Sequence, residues 1–157
     1  MFFLRPKSNY EKSNSITKVK FYISKKTKKL AWQLLHSEET IQRQRISDLL
    51  LEELSLLAGV KPVTVKISHN KQVHKKTNGR VSYKQYGFYR PGSHHIYITN
   101  RTAVRGQFLA PKTFTDTLLH EWMHHYDFGK LKINSIHTAG FYARLKDLKE
   151  KVGYFET

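Results

Sequence analysis

Apolar positions along the chain follow two periods. Between Lys28 and Ala58 they recur at helical spacing: Leu30, Leu34 and Leu35 open a stripe that Ile46, Leu49, Leu50, Leu54 and Leu57 continue. Ser37, with Glu38 and Glu39 behind it, is placed to cap a second helix and split this region, and Gly59 to end it. Elsewhere the period is two. KVKFYIS alternates Val19, Phe21 and Ile23 with Lys18, Lys20 and Tyr22, and VTVKISHN alternates Val63, Val65 and Ile67. VSYKQYGFYR and HHIYITN, joined by PGS, are two more strand candidates, and Asn78-Gly79 supplies a turn in the basic loop before them. These runs predict a small antiparallel sheet of three or four strands. Helical spacing returns from Pro111, which suits a first turn, to about Phe128, with Thr113 and Asp116 resembling a capping box and Gly129 ending the helix. A last helix is expected from about Thr138 to near Gly153, with Phe141, Leu145 and Leu148 on one face. The order of elements predicts an α+β fold: an N-terminal helix, a small antiparallel or mixed sheet, a histidine-bearing helix and a C-terminal helix.

Length and composition narrow the class. A chain of 157 residues without an internal repeat or linker reads as one domain, 1–157, with the polar, basic residues 1–17 as a flexible or adaptable arm. Its hydrophobic content of 39% and aromatic content of 13% fit a folded core rather than a disordered chain. No apolar run approaches the ~18 residues of a membrane span, and MFFLRPK has only four apolar residues before Arg5, unlike a secretory leader. With no cysteine, disulfides and thiolate metal sites are excluded. A cytoplasmic or nucleoid- or nuclear-associated monomer is the expectation.

Charge adds a partner. The net charge is +16, and two blocks account for all of it: residues 1–30 carry nine Lys/Arg and one Glu, and residues 61–90 carry eight Lys/Arg and no acid. Clustered excess of this size attracts a polyanion, of which nucleic acid is the usual one. Lys25, Lys26, Lys28, Lys29, Lys75, Lys76 and Arg80 are the candidate contacts. Tyr22, Tyr83, Tyr86, Phe88 and Tyr89 lie among basic residues, where some can stack on unpaired bases and others serve the core.

The chemistry lies in LLHEWMHHYDFGKLKINSIHTAGFYARL, Leu118 to Leu145, which holds four of the nine histidines. His120 and His124 stand at i and i+4, one turn apart on one helix face, where two imidazoles can converge on a single Zn²⁺. Glu121 follows the first of them and is placed to take a proton from water beside the metal and return it to a leaving group. His137, thirteen residues after His124 and beyond Gly129, is the candidate third ligand. His125 is rotated ~100° from His124 and is expected to pack or face solvent. Asp127 shares the ligand face, as an outer hydrogen-bond partner of an imidazole or as an alternative ligand to His137. Tyr142, Tyr126, Arg144 and His94 are candidates to stabilise an oxyanion. His94 and His95, in one strand, would point to opposite faces.

An HExxH helix, a third histidine after a short loop and a following helix that opens with an aromatic residue resemble the zincin metallopeptidases, and most closely their SprT-like (Spartan-type) domains. In that group the third ligand stands in an H-G-x-x-F-like context. HTAGF keeps His137 and Phe141 but has Thr138 in place of the glycine and Gly140 two positions later. The resemblance covers residues 111–148; upstream only the order of helix and strands agrees. It implies a minimal zincin-like peptidase with one zinc per chain held by His120, His124 and His137. It also implies a protein or peptide substrate added along the HHIYITN strand as sheet edge, and action on proteins bound to DNA. Two other readings fit the same residues: a nucleic-acid-binding protein whose metal site is structural or vestigial, and a regulatory zincin that cleaves one dedicated partner.

Overall fold

A computed structural model describes residues 5–71, 74–77 and 80–156, with the backbone alone for 74–77 and 80–84. The architecture is α+β: five helices and a small three-stranded mixed sheet, with a separate two-stranded ribbon. Helix α1 spans Asn9–Ser15, α2 Lys25–Leu34, α3 Thr40–Ala58, α4 Pro111–Tyr126 and α5 Ala139–Val152. Strand β1 spans Thr64–Lys71, β2 His74–Thr77, β3 Arg80–Lys84, β4 Gly87–Arg90 and β5 His95–Arg101.

The long helical region splits as its sequence suggests, but not through Ser37. Glu39 is the N-cap of α3 and gives no side-chain bond; Ser37 is buried and donates to the Leu34 carbonyl. Ser37 also accepts from Arg43 Nε, and Arg43 reaches the Asn100 side chain at 2.6 Å and lies over the Phe114 ring. That buried guanidinium ties α3 to β5 and α4. Its pKa falls to about 10, because burial disfavours the charged form.

The sheet order is β1-β5-β4, with β1 parallel and β4 antiparallel to β5. The sheet is thus mixed, one of the two forms expected. One expectation is corrected: the HHIYITN strand is the centre of the sheet rather than its edge. Ile96 and Ile98 are fully buried and register with Val65 and Ile67 of β1, so β5 is the strand that the core demands in the middle. Among the described residues the sheet edge on the α4 side is therefore β4. Gly87 lets β4 lie close: a Cβ there would stand 2.7 Å from the Tyr97 carbonyl oxygen and 3.2 Å from the Thr117 methyl of α4.

KVKFYIS forms no strand. Its alternation is real, since Val19 and Ile23 are buried and Phe21 packs edge-on to Trp122. Side chains take the place of a ladder partner: Val19 N–H donates to Asp147, Lys20 N–H to the Tyr126 hydroxyl, and the Val19 carbonyl accepts from Lys151. Residues 9–15, expected within a flexible arm, instead form α1, capped by the Ser8 hydroxyl and docked on α5.

Helix α4 opens with Pro111, as expected, but its N-cap is Ala110 and the Thr113–Asp116 capping box does not form. Phe114, Leu118, Leu119, Trp122 and Met123 are fully buried around it, and Trp122 Nε1–H donates to Ser55 on α3. Gly129 does not end the helix. The chain widens into a π-helical turn over Asp127–Leu131 and breaks at Lys132, whose φ is 57°.

Candidate metal centre

Three side chains meet where α4 runs into the loop before α5. His120 and His124 project from one face of α4, and His137 stands just ahead of the Thr138 cap of α5. His137 Nε2 lies 3.0 Å from both His120 Nε2 and His124 Nε2. One ligand atom from each of the three lies within 4.8 Å of the others, the one such group of three or more potential ligand residues among the described residues. Phe141, four residues after His137, stacks on His124 at 4.6 Å and stands edge-on to His120 at 5.0 Å, fixing both rings.

A hydrogen-bond chain fixes the tautomer of His124. Asp127 is fully buried and receives two bonds from Arg144, at 3.1 and 2.8 Å. Ser135 donates its hydroxyl proton to Asp127 Oδ2 at 2.7 Å, so its oxygen accepts from His124 Nδ1–H, also at 2.7 Å. The His124 Nε2 is thereby left as a lone pair aimed at the other two rings. A single N–H on His137 Nε2 can serve only one of its two close neighbours, so neutral rings leave lone pairs facing each other. A cation between them removes that conflict. Two nitrogens on a tetrahedral Zn²⁺ stand ~3.3 Å apart, near the spacing found. The residues fit a metal ion.

Electrostatics agree with neutral, metal-ready imidazoles. Burial first, then the neighbouring His137, lowers His120 to about 4; burial, His120 and His137 lower His124 to about 3. Glu121 is also buried, which raises its carboxyl to about 7. Glu121, His124 and His137 line one cleft of about 480 Å³, with Phe88, Tyr89, Phe128 and Ile136 as its apolar wall.

The remaining candidates separate by position. Asp127 is outside the cluster, and its two oxygens are taken by Arg144 and Ser135. It acts on His124 through a serine rather than directly. His125 points behind the ligand face and is buried; its Nε2–H donates to the Lys61 carbonyl and its Nδ1 accepts from the Tyr89 hydroxyl. Of the four oxyanion candidates only Tyr142 stands beside the cluster, half-exposed, 6.2 Å from the His120 ring and 5.8 Å from that of His137. Arg144 is buried in its pair with Asp127. The Tyr126 hydroxyl accepts from Lys20 in the core, and His94 packs against His125. Scans against protein-family models, curated proteins and solved structures return no match.

Ser135 carries no sequence signal, and Tyr89 stands out in the sequence only as a candidate for base stacking or the core; the fold brings the first under His124 and the second to the cleft wall. Among the polyanion candidates, Lys25, Lys26, Lys28 and Lys29 are exposed on α2, where Lys26 pairs with Glu53. Lys75, Lys76 and Arg80 lie on β2 and β3, and their side chains, like that of Tyr83, are outside the described residues. Tyr22 is exposed, Tyr86 and Tyr89 pack on the core, and Phe88 stacks on Tyr97. No described helix is long and apolar enough to cross a membrane.

Proposed function

We propose that the chain is a zinc-dependent endopeptidase of the zincin type that hydrolyses peptide bonds in protein substrates. The observation that carries this reading is the convergence of the His120, His124 and His137 nitrogens at a cleft that the raised carboxyl of Glu121 also lines. Bound Zn²⁺ would supply Lewis acidity, polarising the scissile carbonyl and letting water lose a proton near neutral pH. Glu121 receives that proton, and with its pKa near the working pH it can hand it on to the departing amine. Among the described residues strand β4 pairs with β5 on one side only, so its outer N–H and C=O groups can take an extended substrate as a further strand. Tyr142, beside the His120 and His137 rings, would support the developing oxyanion. A closed, structural site would need a fourth protein ligand, and Asp127 is committed to Arg144 and Ser135.

The partner reading is that the basic surface brings the enzyme to protein substrates on DNA. Its support is the exposed lysine row on α2 and the adjoining groove that holds Tyr22, Trp32, Lys28 and Lys29.

The test compares wild type with Glu121→Gln for zinc content and for casein or histone cleavage. The expected outcome is one zinc in each protein and cleavage lower by at least ~100-fold in the variant. Wild type without stoichiometric zinc would end the reading.

A further inference from the structure

The metal cluster is not built by α4 and α5 alone. Helix α1 has seven residues, too few to be stable by itself, and only Ser13 of it is buried. What holds it are polar bonds, and those across the interface go to the segment that carries His137 or to α5 behind it. Asn9 and Asn134 exchange two bonds of 2.8 Å, from Asn9 Nδ2–H to the Asn134 carbonyl and from Asn134 N–H to Asn9 Oδ1. Lys12 donates to the Leu131 carbonyl at 2.7 Å. Ser13 and Thr138 share a bond of 2.7 Å between hydroxyls. Gly140 N–H donates to Asn14 Oδ1 at 2.9 Å. His137 thus lies between three clamped points, Asn134, Thr138 and Gly140.

The same contact reaches His124. Arg144 donates Nη1–H to the Ser13 and Ile16 carbonyls, at 2.6 and 2.7 Å, and Nη2–H to Ser13 Oγ. With its remaining donors it holds Asp127, which holds Ser135, which holds His124 Nδ1. One buried guanidinium therefore joins the backbone leaving α1 to a metal ligand.

We propose that residues 8–16 form a positioning clamp for the metal, so that docking of α1 and metal binding strengthen each other. The proposal rests on the metal reading above. Coupling of this kind is reciprocal: the factor by which a docked α1 improves metal affinity is the factor by which bound metal favours docking. The apolar contacts of α1 are too few to dock it independently, so its order depends on the His137 segment as much as the segment depends on it.

The test uses the whole chain and two observables that do not require activity. The first is zinc affinity by competition with a chromogenic chelator. Asn9→Ala/Asn14→Ala removes three of the clamp bonds and touches no ligand; it is expected to weaken zinc binding about tenfold, the lower end of what lost outer-shell support costs. Gln44→Ala is the control. It removes two bonds of similar kind at the far edge of β1, to Val65 and Ile67, and an exposed bond to Asp48, three in all, and is expected to lower stability while leaving zinc affinity unchanged. The second observable is amide hydrogen exchange in wild type, where zinc is expected to slow exchange in residues 9–16. Zinc affinity equal to wild type in the double variant, or equal losses in both variants, would overturn the clamp. So would exchange in α1 that ignores zinc. If wild type itself binds no zinc, the metal reading falls and takes the clamp with it, an outcome distinct from the others.

Discussion

At the scale of single residues, the spacing of His120, Glu121 and His124 was legible because a helix obliges i and i+4 to share a face. The reach of His137 was legible only as a candidate, since a loop of that length can end anywhere. Asp127 shows where spacing stops informing. It does lie on the ligand side of its helix, but Arg144, seventeen residues later and fully buried, claims it. Burial raises the Asp127 pKa, while its bonds to Arg144 and Ser135 work the other way. Asp127→Asn should leave the Arg144 charge buried and unpaired and cost ~3–5 kcal/mol of stability, read from urea unfolding of metal-free protein. Ser135→Ala should behave differently, with a small change in stability and zinc affinity lower by ~10-fold or more. A Ser135→Ala protein that binds zinc as tightly as wild type would show that the His124 tautomer needs no such support.

At the scale of elements, period-two alternation located the strands of the sheet but also flagged KVKFYIS, which forms none. Alternation records which side chains are buried and says nothing of what the backbone pairs with; here Asp147, Tyr126 and Lys151 take that role. Strand order was not legible either. Both VTVKISHN and HHIYITN are apolar on one face, and only the packing of Ile96 and Ile98 between β1, β4 and α4 makes β5 central. The departure of HTAGF from an H-G-x-x-F context has a physical account in the same terms. Thr138 caps α5 by accepting from Phe141 N–H and bonds Ser13, while Gly140 leaves room for α1. A Cβ on Gly140 would stand 2.0 Å from the Ser13 carbonyl oxygen. Helix propensity alone favours Gly140→Ala by ~1 kcal/mol; the close approach predicts the opposite sign, a lowered melting temperature. A melting temperature equal to or above wild type would mean that α1 yields at no cost.

At the scale of the molecule, composition showed a large excess of basic charge, but not which lysines would be gathered on one helix. Lys28→Ala/Lys29→Ala should weaken DNA binding and reduce the slope of log K against log salt by ~2, as expected for two lost phosphate contacts. An unchanged slope would move the nucleic-acid surface elsewhere. Acid should act on the metal-free fold through its buried site. Free imidazole titrates near 6.5, so His120 and His124, held at about 4 and about 3, add stability that is present above about pH 6.5 and lost as pH falls. Glu121, raised from 4.5 to about 7, works in reverse: its contribution is present below its unfolded value and lost as pH rises through 7. Two groups against one predict a lower urea midpoint at about pH 5 than at about pH 6.5 in the presence of chelator. A midpoint that rises on acidification would mean that the carboxyl outweighs the two imidazoles.

The contact between α1 and α5 also bears on how the chain comes together. Ser13 and Thr138 are 125 positions apart, and Ser13 and Arg144 are 131 apart. Such distant pairings cost the most loop entropy to close and are suited to form late, after the local helices and the β4–β5 hairpin. During synthesis, residues 9–16 wait for more than a hundred successors before their partners exist. The His120–His124–His137 cluster would then be the last part of the protein to mature. Asn14→Ala should accordingly speed unfolding and leave the refolding rate nearly unchanged, a pattern that a chevron plot of the metal-free protein would display.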